Sequence, residues 1–271
     1  MRASAHLSDS PQNGAWVAAR PAVATVHRGP RPALCGLLGL LGAVRLVAQA
    51  PVEPAPRWPD GHVNLGSTNE HKGYWEVRPG LGGMPRAADV PFQPWARAVY
   101  EYRQATYSKD SPLVDCKAAA GPAFFNAPGF EIVDAPEQKE IFLLNIAGPH
   151  SWRVIYMDGR PHPTDLRPTD LRPTFLGHST GKWDGDTLVI DTAGFNEKQW
   201  PVGAYPTTSQ LHLTERISRP NLRSLTYEFT IDDMGAYTKP WSGKWSITEK
   251  MGSKWIEGGE MFEYICEDAN R

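Results

Sequence analysis

Cysteine is scarce: three occur in 271 residues, and Cys35 lies in the first fifty, which leaves Cys116 and Cys266. Long apolar runs are equally scarce. After residue 50 no segment is apolar enough to cross a bilayer, so that part of the chain is expected to carry no membrane span. Positive charge is short as well. Five of the 28 basic residues and one of the 30 acidic residues fall in the first fifty, so the remainder holds 23 against 29. No basic stripe remains to track a phosphate backbone, and nucleic acid is excluded as a partner. Several catalytic signatures are missing too. There is no glycine-rich phosphate cradle, no dinucleotide fingerprint and no H-E-x-x-H. Gly177-His178-Ser179 is not the G-x-S-x-G elbow of a serine nucleophile.

What is present begins with a targeting pattern. Residues 1–50 carry Arg2, Arg20, Arg28, Arg31 and Arg45, then the apolar stretch Pro32 to Val44, and end in Ala48-Gln49-Ala50. A basic region, a short apolar core and a small-x-small site read as a secretory signal cut after Ala50. The basic leader is long for this role, which suggests a translation start downstream of Met1. An exported chain with two remaining cysteines is expected to bridge them. A bridged Cys116 is then a poor nucleophile.

Residues 51–93 are rich in proline, glycine and asparagine and read as an extended, loop-rich lead-in. Residues 94–271 read as a single β-rich domain. One helix is predicted near 94–106, opened by Pro94, with Trp95, Val99, Tyr102 and Thr106 on one side. From Gly129 the apolar period becomes two. Strands are predicted over 130–134, 140–146, 152–156, 178–183, 186–192, 210–217, 223–232, 244–249 and 255–266. Repeated strands with turn residues between them suit a mainly β antiparallel barrel of lipocalin-like form, or, second, a β-sandwich. The barrel is preferred because Arg, His and Glu recur within strands, where a lined cavity would hold them. Residues 163–172 repeat Pro-Thr-Asp-Leu-Arg in tandem. Five residues are too few for a solenoid unit, so this reads as a lengthened surface loop.

Asp184-Gly185 between two apolar runs is a strong hairpin signal. With those two as the turn, Trp183 faces Asp186, Thr180 faces Val189 and His178 faces Asp191. An imidazole directly across from a carboxylate can be oriented for general acid–base work, with a structural ion pair as the plainer alternative. His212 joins them as a catalytic candidate. His212, Thr214 and Arg216 share one strand face, and Glu215 lies on the other. Arg153, Arg160 and His162 form a further group around the turn Asp158-Gly159. Trp183, Tyr237 and Trp241 offer aromatic walls for a small organic ligand or a sugar ring. The candidate substrate-binding residues are thus Arg153, Arg160, His162, Trp183, Glu215, Arg216, Tyr237 and Trp241. No cofactor is required by any motif. A metal is an open alternative, with His162, His178 and His212 as its ligands.

Four segments carry a resemblance. They are Gly177 to Asn196 (GHSTGKWDGDTLVIDTAGFN), Asp158 to Pro163 (DGRPHP), Leu211 to Arg216 (LHLTER) and Asp232 to Trp241 (DDMGAYTKPW). Together they resemble a large group of exported, mostly hypothetical bacterial proteins, over roughly residues 95–270. The resemblance implies an exported domain and places His162, His178, Asp191, His212 and Arg216 within shared motifs. It supplies no reaction. Lys72-Gly-Tyr-Trp75 is faintly similar to the G-x-W start of lipocalin-like barrels. Two functions fit: an exported enzyme using acid–base chemistry on a small organic or carbohydrate substrate, by hydrolysis or elimination, or a lipocalin-like ligand carrier.

Overall fold

Alternation of apolar and polar side chains builds most of the strands. In Ser224–Asp232, Leu225, Tyr227, Phe229 and Ile231 are buried while Thr226, Glu228 and Thr230 face outward. A half-buried antiparallel strand requires this period of two. The computed structural model describes residues 52–77, 84–126, 129–146, 151–163, 173–247, 254–263 and 265–266. The leader expected over 1–50 and most of the tandem repeat lie outside them.

Ten strands form one sheet: β1 (Gly73–Glu76), β2 (Gly129–Ala135), β3 (Glu140–Asn145), β4 (Trp152–Tyr156) and β5 (His178–Asp184), followed by β6 (Thr187–Ala193), β7 (His212–Asn221), β8 (Ser224–Asp232), β9 (Trp241–Ile247) and β10 (Lys254–Glu257). Their order is β10-β1-β2-β3-β4-β5-β6-β7-β8-β9, and the sheet is nearly closed into a barrel. Every neighbouring pair is antiparallel except β4–β5, which is parallel. Among the described residues, one helix, α1 (Pro94–Ala105), and two short 3-10 turns at Pro112–Asp115 and Gly121–Asn126 complete the regular structure. The chain is therefore mainly β, with a barrel rather than a sandwich.

Four details differ from the sequence reading. Strand β1 lies in the stretch expected to be loop. Four residues are too few to show a period, and pairing with β10 and β2 on either side holds them. The last strand ends at Glu257 instead of Cys266, because Gly258 turns with φ +68°. Helix α1 has the expected extent but a different inner face. Trp95 and Tyr102 are exposed, and Ala96 is buried with Tyr100 and Arg103 partly covered. Tyr100 packs against Phe92 and Tyr205, which draws the helix round onto that aromatic cluster.

The fourth difference is the hairpin register. Asp184 stays in the ladder opposite Thr187, so the turn residues are Gly185 and Asp186. Only Gly185 takes a positive φ, +59°, as a turn with glycine first requires. The pairs are Trp183 with Leu188, Thr180 with Asp191, and His178 with Ala193. A slip of two residues preserves which face each side chain occupies. His178 and Asp191 therefore share a face, diagonally rather than directly opposed.

The inner face is packed with side chains. Trp75, Phe125, Phe130, Leu143, Ile155, Leu188, Leu213 and Tyr227 belong to one continuous core. Arg153 and Glu215, expected to line a cavity, form an ion pair within that core, at 2% and 0% exposure. Arg153 also donates to Ser179 Oγ (2.8 Å) and Thr192 Oγ1 (2.5 Å), and Tyr227 donates to Glu215 Oε1 (2.7 Å). Burial, and then the Glu215 charge, push the Tyr227 hydroxyl well above its ordinary pKa, so it remains a donor. Cys116 and Cys266 are bridged, with Cα atoms 5.7 Å apart across 150 residues of sequence.

Candidate functional site

The period-two rule that buries Ser179 turns His178 outward, and the same rule turns out Asp191 on β6 and His212 on β7. Strand pairing sets Asp191 opposite Thr214 and Thr192 opposite Leu213, which leaves His212 one diagonal step from Asp191. His212 Nε2 and Asp191 Oδ1 are in direct contact. The third histidine arrives from the crossover between β4 and β5. His162 lies between Pro161 and Pro163, and a residue before proline is held extended. Its Nδ1 is 2.9 Å from His178 Nδ1, and its Nε2 is 3.6 Å from Asp191 Oδ1. Four side chains thus run in series on the outer face, His178–His162–Asp191–His212.

Neighbours tune this row. Tyr156, at the end of β4, stacks on the His178 ring with centroids 5.2 Å apart. The Arg160 guanidinium covers the other end of that stack, 4.0 Å from the Tyr156 ring. Asp158 pairs with Arg160 through 2.6 and 2.9 Å contacts, which hold its carboxyl down at about 2. Burial, then the nearby His162 and Arg160, lower the His178 pKa below the ordinary imidazole value. His178 therefore favours the neutral imidazole. Beside it opens a hollow of about 450 Å³ walled by Trp152, Val154, Tyr156, Thr174 and Leu176. Trp152 is 58% exposed and offers a flat apolar surface there.

The structure brings together His162, His178, Asp191, His212 and Arg160 from the expected set. It does not bring the others. Arg153 and Glu215 are in the core. Tyr237 is buried, donates to Pro206 O at 2.7 Å, and packs with Trp241 in the aromatic cluster at the barrel end. Trp183 points inward at the far end of β5, against the His62 ring. Arg216 shares the outer face with His212 but pairs with Asp184 at 2.8 Å. Four strand positions place it about 13 Å away. The expected metal trio also changes. The group whose donor atoms converge is His162, Asp191 and His212. His178 does not belong to that converging group; it meets His162 on the side of the ring away from Asp191.

Tyr156 and Trp152 were missed by the sequence reading. Their two-residue spacing with Val154 marks one face of β4, but only the parallel β4–β5 pairing reveals that this face adjoins His178. No family model matches the chain, and no curated protein or solved structure is similar to it.

Proposed function

We propose that the chain is an exported enzyme that acts on a small organic substrate by general acid–base chemistry at His178. One observation carries the reading. An imidazole at the mouth of an open hollow is backed through a single hydrogen bond by a second imidazole that faces a carboxylate. In this mechanism His178 takes a proton, from water in a hydrolysis or from carbon in an elimination, and returns it to the leaving group. His162 and Asp191 orient it, while Arg160, paired with Asp158, holds the Tyr156 ring that stacks on it. The walls formed by Trp152, Tyr156 and Leu176 suit a flat apolar group or the face of a sugar ring. The leader pattern and the Cys116–Cys266 bridge both suit an oxidising compartment outside the cytoplasm. A carrier that encloses its ligand has less support, because core side chains fill the inner face.

The test is a turnover screen with chromogenic aryl esters and aryl glycosides, followed by His178→Ala. The expected result is a loss in kcat/KM of about 100- to 10,000-fold with the melting temperature nearly unchanged. Turnover that survives the substitution, or activity and stability lost in equal measure, would overturn the assignment.

A further inference from the structure

We propose that His162, Asp191 and His212 form a binding site for one first-row divalent metal ion, best suited to zinc, and that His178 is the residue that positions His162 for ligation. The site shares residues with the acid–base reading but does not depend on it, since an ion can bind where nothing is turned over.

Donor geometry is the first support. One donor atom from each residue lies within 4.8 Å of the other two. Ligands about 2.0–2.1 Å from a tetrahedral ion sit roughly 3.3 Å from one another. The His162 Nε2 to Asp191 Oδ1 separation, 3.6 Å, is already close to that value. Asp191 and His212 are in closer contact and must part a little. Both are about half exposed, at 44% and 46%, so rotation of either side chain meets little packing resistance.

The second support is independent. His162 Nε2 is buried and has no hydrogen-bond partner, although it points toward the carboxylate. A buried nitrogen left without a partner is unfavourable, and a bound ion is a partner that removes this cost. One proton is shared between the two Nδ1 atoms, 2.9 Å apart, and an ion on Nε2 fixes its place. With the ion bound, His162 keeps the proton on Nδ1 and donates it to His178; without the ion, the acid–base reading uses the reverse tautomer, in which His178 Nδ1–H donates and its Nε2 is the free base. Ligating imidazoles are commonly held this way, with the second N–H given to a fixed acceptor. The flanking prolines, Pro161 and Pro163, further restrict the segment that presents the ring.

Ligand chemistry narrows the ion. Two imidazoles and one carboxylate, with no thiolate, suit zinc and its first-row neighbours rather than the oxygen-only preference of calcium or magnesium. Three protein ligands on a solvent-facing surface leave a fourth position for water, the arrangement of catalytic rather than structural zinc.

The test uses the untagged, disulfide-bonded chain, stripped with chelator and then titrated with Zn²⁺ by calorimetry and with Co²⁺ by visible absorption. One ion per chain is expected, with cobalt bands of a four- or five-coordinate site. His212→Ala and Asp191→Asn should abolish binding, while His178→Ala should weaken it about 10- to 100-fold. Melting curves of each variant confirm that it is folded. Absence of binding by the parent chain, undiminished binding by Asp191→Asn, or several weak ions per chain would overturn the site. The two readings fail separately. A chain that binds no zinc yet shows His178-dependent turnover loses the metal and keeps the acid–base role; one that binds zinc without turnover does the reverse.

Discussion

Arg153 carries its charge into the middle of the inner face, where Glu215, Ser179 and Thr192 accept its hydrogen bonds. Such a pair is expensive to assemble, but far more expensive to break on one side, since the remaining charge has neither solvent nor partner. Arg153→Met should therefore lower unfolding stability by about 3–5 kcal/mol, read from the urea midpoint. Replacing both partners, Arg153→Met with Glu215→Leu, should cost less than either single change. The double variant still leaves Tyr227 without its acceptor, so recovery is incomplete. A double variant weaker than both singles would show that the pair contributes more than mutual neutralisation. The contrast with the outer face is direct. Asp191 and His212 make a similar contact while half exposed, so their replacement should change binding and leave stability nearly intact.

Among the elements, the β5–β6 hairpin decides which residues meet at the histidine row. Its turn depends on a positive φ at Gly185, and a Cβ there would meet nothing within 4 Å. The cost of Gly185→Ala is therefore backbone strain alone, about 1–2 kcal/mol, and Gly185→Asn should cost less. Gly66 is the opposite case. A Cβ there would fall 1.8 Å from the carbonyl oxygen of Ile132 in β2, so Gly66→Ala must displace backbone. Thermal unfolding of both variants should show the Gly66 change to be the more damaging. Equal losses would mean that the lead-in before β1 is not packed against β2 as closely as described.

For the whole molecule the governing covalent link is Cys116–Cys266, which spans 150 residues. It ties the segment after β10 to the chain between α1 and β2. On the loop-entropy account a closure of this length is worth roughly 5 kcal/mol at most, and native bridges commonly contribute 2–5. The Cys116→Ser/Cys266→Ser variant should lose about 2–5 kcal/mol by urea titration. Its amide exchange should accelerate first beyond Glu257. An unchanged midpoint would show that pairing of β1 with β10 closes that end without help. Neither cysteine lies on β5, β6 or β7 or on the crossover that supplies His162, so metal binding should survive their replacement.

Much of the strand pattern was legible in the residues themselves. Nine of the ten strands carry enough alternation or apolar character to be recognised, and the hairpin was marked by its Asp-Gly step. Parity alone placed His178 and Asp191 on one face, because a register slip of two residues leaves every side chain on its own side. The bridge followed from having two cysteines left in a chain with a secretory leader pattern. Other features belong to tertiary structure. The parallel step from β4 to β5 is made by a long crossover, and closure entropy changes so slowly with loop length that separation in sequence says little about who becomes a neighbour. That step sets Tyr156 against His178 and delivers His162 to Asp191. Packing also determined that Arg153 and Glu215 pair inside the sheet while the three histidines stay outside. Local periodicity reports which way a side chain points, but only the assembled sheet determines what it meets there.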